Sequence, residues 1–175
     1  ALNMFDGINL QAGIYSLIVL LTLLIFSREY IIIMIISLSL ITFLYLNYNS
    51  KVFLGDSGTY LLGFLISYLI IITAKDTEYV LLSADKIFVL MMLPGLELIR
   101  LFITRLSLKR HPFSSDRNHI HHIILKKFNH IRTIIILILL IVLPIIFMFQ
   151  FEKNLHYMII SFTLFYIFII KKYEK

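Results

Sequence analysis

Residues 133–149 read TIIILILLIVLPIIFMF, an apolar run without a single charged side chain. A run of this length comes close to what a helix needs to cross the hydrocarbon core of a membrane. Similar runs recur at 14–26, 30–46, 59–74, 87–104 and 155–170. They lack the alternation of barrel strands, and a helix satisfies its own backbone polar groups in lipid. The sequence therefore predicts an all-α polytopic membrane bundle of about six transmembrane helices, forming a single membrane domain over residues 1–175.

The composition supports a membrane protein and excludes several other classes. The chain is 60% hydrophobic and 15% charged, and its mean hydropathy is +0.94, far from the balance of a soluble domain. Cysteine is absent, so disulfides and thiolate metal sites are ruled out. The net charge of +6 is explained by membrane topology and anionic lipid, and we expect no nucleic-acid partner.

The short loops indicate the orientation. With six crossings, the two termini and the loops 47–58 and 105–132 fall on one side of the membrane. That side holds eleven Lys and Arg residues, against four in the opposite loops. Because basic residues concentrate in cytoplasmic loops, we predict that both termini and these two loops are cytoplasmic.

Three polar segments interrupt the apolar chain, and all three fall on the predicted cytoplasmic side. We name them the Asp-Gly segment (Asn3–Asn9), the Gly-Asp segment (Lys51–Thr59) and the histidine segment (Arg110–His122). Polar groups this dense between hydrophobic spans indicate a wet site at the membrane surface that handles an anionic or metal-bound ligand.

The first two segments each pair an aspartate with glycine. Asp56 lies between Gly55 and Gly58 at the predicted start of a helix, where a carboxylate and open backbone would admit a hydrated cation together with a phosphate. Asp6 repeats this pattern, and Asn3, one helical turn earlier, is expected on the same face. Taken alone, the Gly-Asp motif is equally explained as a turn with a helix N-cap, and the Asp-Gly motif is better explained as a plain N-cap.

The histidine segment combines imidazole and guanidinium groups, which suit a diphosphate. If it is helical, His119 and His122 share a face, with Arg117 and His121 close by. A solvated basic connector would explain the lysines of this loop but not its histidines. A histidine-rich iron site is the other alternative, although such sites use several histidine boxes and this chain has one.

Together the motifs resemble the polyprenyl-phosphate N-acetylhexosamine-1-phosphate transferases, members of glycosyltransferase family 4, and specifically their C-terminal half. The residues that carry the resemblance are Leu2–Asn9, Val52–Gly58, Pro94–Glu97 and Pro112–His122. The last of these is similar to the branch that uses UDP-N-acetylglucosamine or a related sugar.

The resemblance implies an enzyme of the bacterial inner membrane that begins envelope glycan synthesis. It would transfer N-acetylhexosamine-1-phosphate from a UDP-sugar to polyprenyl (undecaprenyl) phosphate and release UMP, with Mg²⁺ or Mn²⁺ as cofactor. By resemblance, Asp6 and Asp56 are the catalytic and metal-binding residues. The substrate-binding residues would be Asn3, Arg117, His119, His121 and His122. Glu97, where the family usually has aspartate, is explained either by an ion pair with Arg100 or by a role in lining the site.

The family's paired aspartates have no counterpart, because Asp-Asp occurs nowhere in the chain. We therefore expect an incomplete site that lacks transferase activity alone and depends on a missing N-terminal half or on a homodimer. The alternative is a truncated, non-catalytic membrane module that binds anionic lipid or a partner through its basic loop. A transporter is disfavoured, because only Glu97 and Arg100 are charged at mid-span.

The topology can be tested by cysteine labelling, which the absence of native cysteine makes simple. A Ser115→Cys variant should resist a membrane-impermeant maleimide in intact cells, because the basic asymmetry places this loop in the cytoplasm. A Ser83→Cys variant, in an opposite loop, should be labelled. Labelling of Ser115→Cys in intact cells would overturn the topology.

Overall fold

The computed structural model describes residues 2–76, 81–111 and 118–174, and these residues form helices and no strands. In chain order the helices are α1 (Leu2–Phe5), α2 (Gln11–Phe26), α3 (Tyr30–Tyr48), α4 (Gly55–Lys75), α5 (Ala84–Leu90), α6 (Met92–Ser107), α7 (Ile120–Leu125), α8 (His130–Gln150) and α9 (Leu155–Glu174), with a 3₁₀ turn at Glu152–Asn154.

Within this described part, four helices are long and apolar enough to cross a membrane: α3, α4, α8 and the segment of α9. Helices α5 and α6 make a fifth span if they are counted together. Large apolar side chains such as Ile35, Leu38 and Phe64 are exposed along these helices, as expected where lipid covers them. The predicted all-α polytopic membrane bundle is confirmed.

Helix α2 lies at the centre of the bundle. It has 16 residues, about 24 Å of helix, so it is shorter than the four spanning helices. Most of its side chains are buried, because α1, α3, α4 and α8 all pack against it. Helix α3, by contrast, packs mainly on α2 and exposes most of its surface.

The fourth predicted span, 87–104, is broken. Helices α5 and α6 meet at Met91 with a bend of 74°. Pro94, in the first turn of α6, has no N–H to donate to the carbonyl of Leu90, and its ring excludes that carbonyl from a regular helix. The hydroxyl of Tyr15, on α2, donates to the Leu90 carbonyl instead, at 3.0 Å. The break therefore follows from Pro94. Tyr15 of the central helix donates to the Leu90 carbonyl, which Pro94 leaves without a donor.

The number of spanning helices among the described residues is four or five, below the predicted six. Contacts between loops lie at two ends of the bundle. At one end, Asn9 donates to Ser50, at 3.1 Å. At the other, Arg28 pairs with Asp76, and Lys86 pairs with Glu152. Which end faces the cytoplasm stays a prediction. The predicted loop 47–58 is shortened to 49–54, because α3 continues to Tyr48 and α4 begins at Gly55.

The hydrogen bond from Tyr15 to the Leu90 carbonyl at the helix break gives a stability prediction. Tyr15→Phe should lower the free energy of unfolding by about 1–3 kcal/mol, because the Leu90 carbonyl is left buried without a donor. Denaturant titration of the purified protein in mixed micelles measures it. Tyr68→Phe removes a hydroxyl from a half-exposed ring on α4 and should change stability little. Equal effects of the two substitutions would contradict the role given to Tyr15.

Candidate functional site

The Asp-Gly segment is held against the start of α4. Asn3 lies in α1; its amide nitrogen donates to the hydroxyl of Tyr60 at 3.2 Å, and its oxygen accepts from the hydroxyl of Thr59 at 3.0 Å. Helix α1 ends at Phe5, so Asp6 follows the helix. The N–H of Asp6 still donates to the carbonyl of Asn3, at 3.4 Å, and a shared face for the two side chains stays a prediction.

Asp6 and Asp56, from the first two polar segments, lie close enough for their charges to interact. Partial burial raises the pKa of Asp6, and the negative charge of Asp56 raises it further. Asp56 is exposed in the first turn of α4. It follows Gly55, whose φ of 63° is a left-handed backbone conformation that glycine adopts at little cost. A cation near both carboxylates would offset their mutual repulsion and favour their ionised forms.

A cavity of about 360 Å³ lies beside this pair. Asp6, Gly7 and Asn9 line one wall, Asn47 on α3 lines another, and the rim includes Phe53 of the Gly-Asp segment. The ring of Phe53 is 72% exposed. The cavity therefore joins polar atoms to an exposed aromatic face, an arrangement that suits a planar polar ring such as a nucleobase.

Asn47 fixes the shape of that cavity. Its oxygen accepts from the N–H of Leu10 at 2.7 Å, and its nitrogen donates to the carbonyl of Val52 at 2.8 Å. One buried side chain thus joins Leu10, which directly follows the Asp-Gly segment, to the Gly-Asp segment. Sequence reasoning missed both Asn47 and Phe53; an asparagine at the end of an otherwise apolar run was the available signal for the first.

The histidine segment contributes a cluster of three imidazoles. His119 precedes α7, and His121 and His122 lie within it. Their ring centroids are 5.3 Å apart for His119 and His121, and 4.3 Å apart for His121 and His122. His121 is buried, and burial, followed by the neighbouring imidazoles, lowers its pKa to about 3. His121 is therefore neutral at physiological pH, and neither ring nitrogen has a hydrogen-bond partner within the described structure.

The Asp-Gly segment and the histidine segment meet where Gly7 faces His121. A Cβ built on Gly7 would lie 1.9 Å from Nε2 of His121, which is far inside van der Waals contact. Any side chain at this position would therefore force the imidazole of His121 to move. This contact completes the convergence of all three polar segments at one end of the bundle.

Glu97 lies behind the histidines and is buried. Arg100 donates to both of its oxygens, at 3.1 and 2.9 Å, and the N–H of Ile120 donates to Oε1 at 2.7 Å. Oε1 also lies 3.7 Å from Nδ1 of His119. The ion pair considered from the sequence is present, and the same carboxylate contacts the histidine segment.

The remaining site predictions concern Arg117 and the metal. Arg117 lies outside the described residues. Among the residues that are described, no group of three or more His, Asp and Glu side chains is placed to hold a metal ion. A divalent cation at Asp6 and Asp56 would thus have two carboxylates from these residues, the number with which Mg²⁺ is commonly held alongside substrate phosphates.

A second, more apolar cavity of about 420 Å³ begins at the same end. Asn3 and Tyr60 lie at its polar part, and Gly63, Phe64 and Ile66 continue it along α4. The rings of Tyr60 and Phe64 are 63% and 66% exposed. The groove thus runs from the polar segments along a face of α4 that lies in the membrane-spanning part of the bundle.

Comparison with known proteins gives a consistent assignment. The model of glycosyl transferase family 4 matches residues 1–74. Proteins named undecaprenyl-phosphate α-N-acetylglucosaminyl 1-phosphate transferase are similar in Thermotoga maritima (32% identical over 140 residues, 79% of this chain and 43% of the relative) and in Salmonella typhi (30% over 76 residues, 43% and 20%). The chain spans less than half the length of these relatives. No solved structure matches it.

The contact of Gly7 with His121 gives a prediction with a matched control. Gly7→Ala should destabilise the protein by about 1–3 kcal/mol, because the new methyl group overlaps the imidazole. Gly63→Ala, in α4, meets no atom within 4 Å and should be neutral or stabilising by about 0.5–1 kcal/mol. Denaturant unfolding of both variants measures the difference. Equal stability of the two variants would show that Gly7 does not face His121 as described.

Proposed function

The chain belongs to glycosyl transferase family 4, with the family match confined to residues 1–74, and on this premise we propose that it serves sugar-1-phosphate transfer. The reaction would move N-acetylhexosamine-1-phosphate from a UDP-sugar to polyprenyl phosphate at the cytoplasmic face of the bacterial inner membrane. The observation that carries the proposal is the convergence of the three polar segments, with Asp6 beside Asp56 and Gly7 against His121.

The donor nucleotide would occupy the cavity of about 360 Å³. Phe53 offers an exposed ring for stacking on uracil, and base stacking on an aromatic side chain is worth about 1–3 kcal/mol. Asn47 holds the cavity walls in place through its two hydrogen bonds. The diphosphate would then lie toward Asp6 and the histidines, which border the same Asp-Gly segment.

The anionic part of the donor needs charge compensation. We assign Asp6 and Asp56 to a Mg²⁺ or Mn²⁺ ion, which when bound would neutralise charge on the diphosphate. His119, His121 and His122, with Arg117, are assigned to the diphosphate and sugar. Because His121 is neutral, it would act as a hydrogen-bonding group and contribute no positive charge.

The acceptor lipid would use the groove along α4. Its polar part, at Asn3 and Tyr60, suits a phosphate head group, and its apolar part, at Phe64 and Ile66, suits an isoprenoid chain. In this arrangement the lipid phosphate would approach from the membrane and the nucleotide from water.

The chemistry is an exchange between two anions. An oxygen of the lipid phosphate attacks the β-phosphorus of the UDP-sugar, the bond from that phosphorus to the bridging oxygen breaks, and UMP leaves with its charge. The protein mainly positions the two anions in line and offsets their repulsion.

A chimera tests this function without requiring the chain to supply every catalytic group. The segment of this chain that aligns with the Thermotoga maritima transferase replaces the corresponding segment of that protein. With radiolabelled UDP-N-acetylglucosamine, undecaprenyl phosphate and Mg²⁺, the chimera should transfer label into the organic phase. A folded chimera that transfers no label would refute the proposal and favour the non-catalytic membrane module.

In the same chimera, Asp56→Asn should reduce transfer by about 10²–10³-fold, because it removes a carboxylate assigned to the metal. Asp85→Asn is the matched control, since Asp85 is also an exposed aspartate in the first turn of a helix but lies at the opposite end of the bundle. Its activity should stay close to that of the unmodified chimera. Transfer by Asp56→Asn at the level of this control would exclude the assigned role.

A further inference from the structure

A buried hydrogen-bonding network surrounds Glu97, and its side chains come from outside the three polar segments. Glu97 and Arg100 lie on α6, within a predicted span, and the third member, Tyr166, lies on the last helix. The hydroxyl of Tyr166 donates to Oε2 of Glu97 and accepts from Nε of Arg100 at 3.0 Å. All three side chains are largely buried, so each needs the partners that the other two supply.

The network forms hydrogen bonds with the backbone on both sides of His119. The carbonyl of Asn118 accepts from Nη2 of Arg100, and the N–H of Ile120 donates to Oε1 of Glu97. Residues immediately before and after His119 are thus held by one bidentate ion pair. A pair of this kind fixes direction as well as distance, because the planar guanidinium and carboxylate meet in a set geometry.

Helix α7 depends on these contacts. It has six residues, too few to be stable in isolation, and the first N–H groups of any helix lack partners within the helix. Glu97 supplies the acceptor for the first of them, at Ile120. Since α7 carries His121 and His122, the orientation of the whole cluster follows from this anchor.

The carboxylate of Glu97 also requires Tyr166. Within the described structure it accepts from Arg100, Ile120 and Tyr166, and these donors come from α6, the start of α7 and α9. Removal of the Tyr166 hydroxyl would leave Oε2 with the single donor Arg100, while the ring could still fill its place in the core. Helix α9 thereby contributes to the site although it carries none of the sequence motifs.

We propose that Glu97, Arg100 and Tyr166 are positioning residues that hold His119, His121 and His122 in their orientation against Gly7. The catalytic consequence rests on the proposed function, whereas the structural part does not. Loosening of the network should let α7 open locally and admit water to His121 while the spanning helices remain folded.

Histidine modification by diethyl pyrocarbonate, read residue by residue by mass spectrometry, tests the proposal on the full chain in nanodiscs. In Tyr166→Phe and Glu97→Gln, the modification rate of His121 should rise about tenfold, as expected for local opening. The rates of exposed His130 and His156 should not change. Tyr173→Phe is the matched control, because it removes a hydroxyl from the same helix outside the network, and it should leave His121 protected.

Two results would overturn the proposal. One is unchanged His121 reactivity in both variants with their helical circular dichroism intact. The other is His121 reactivity that rises only together with loss of the helical signal, which would mean that the network merely stabilises the bundle. Arg100→Lys provides a further variant, because lysine keeps the charge but lacks a second nitrogen such as Nε, with which Arg100 donates to Glu97 and Tyr166. It should expose His121 as Glu97→Gln does.

Saturating UDP-N-acetylglucosamine with Mg²⁺ separates this proposal from the proposed function. In the unmodified chain, the donor should slow modification of His119 and His122 if these residues bind it. Absence of that ligand protection counts against the proposed function alone, because the effect of Tyr166→Phe on His121 is measured without ligand.

Discussion

The break between α5 and α6 is the constraint on which the rest of the structure depends. Pro94 withholds a hydrogen bond from the Leu90 carbonyl, and α6 leaves the axis of α5 at 74°. That change of direction brings Glu97 and Arg100 against the start of α7. In lipid such a break is tolerated only when the freed carbonyl finds a donor, and Tyr15 on the central helix supplies it.

The apolar runs predicted the helices because burial in lipid leaves few alternatives to a helix. The same reasoning did not reveal the bend, although Pro94 was visible, since a proline in the first turn of a helix is compatible with both a straight start and a break. It also did not reveal that α1 ends at Phe5, between Asn3 and Asp6. Helix ends are set by tertiary contacts, which cannot be read from the hydrophobic periodicity of the sequence.

The site was predictable where its residues formed local motifs, and it was not predictable where contacts join distant positions. Asp6, Asp56 and the histidines stand out as polar residues in an apolar chain, and the comparisons confirm the family that they indicate. Asn47 and Tyr166 carry no such signal. Tyr166 meets Glu97 across 69 positions, and a tyrosine in an aromatic-rich span looks the same whether it faces lipid or a carboxylate.

Burial decides which residues of the candidate site can carry a charge. Burial disfavours the charged forms of both Asp6 and His121, raising the pKa of the first and lowering that of the second. A charge that is buried without compensation carries a desolvation cost. Glu97, a buried charge near the histidines, is accordingly neutralised by Arg100. Its carboxylate also accepts from the backbone N–H of Ile120 at the start of α7, so a buried group can orient the helix that carries His121 and His122.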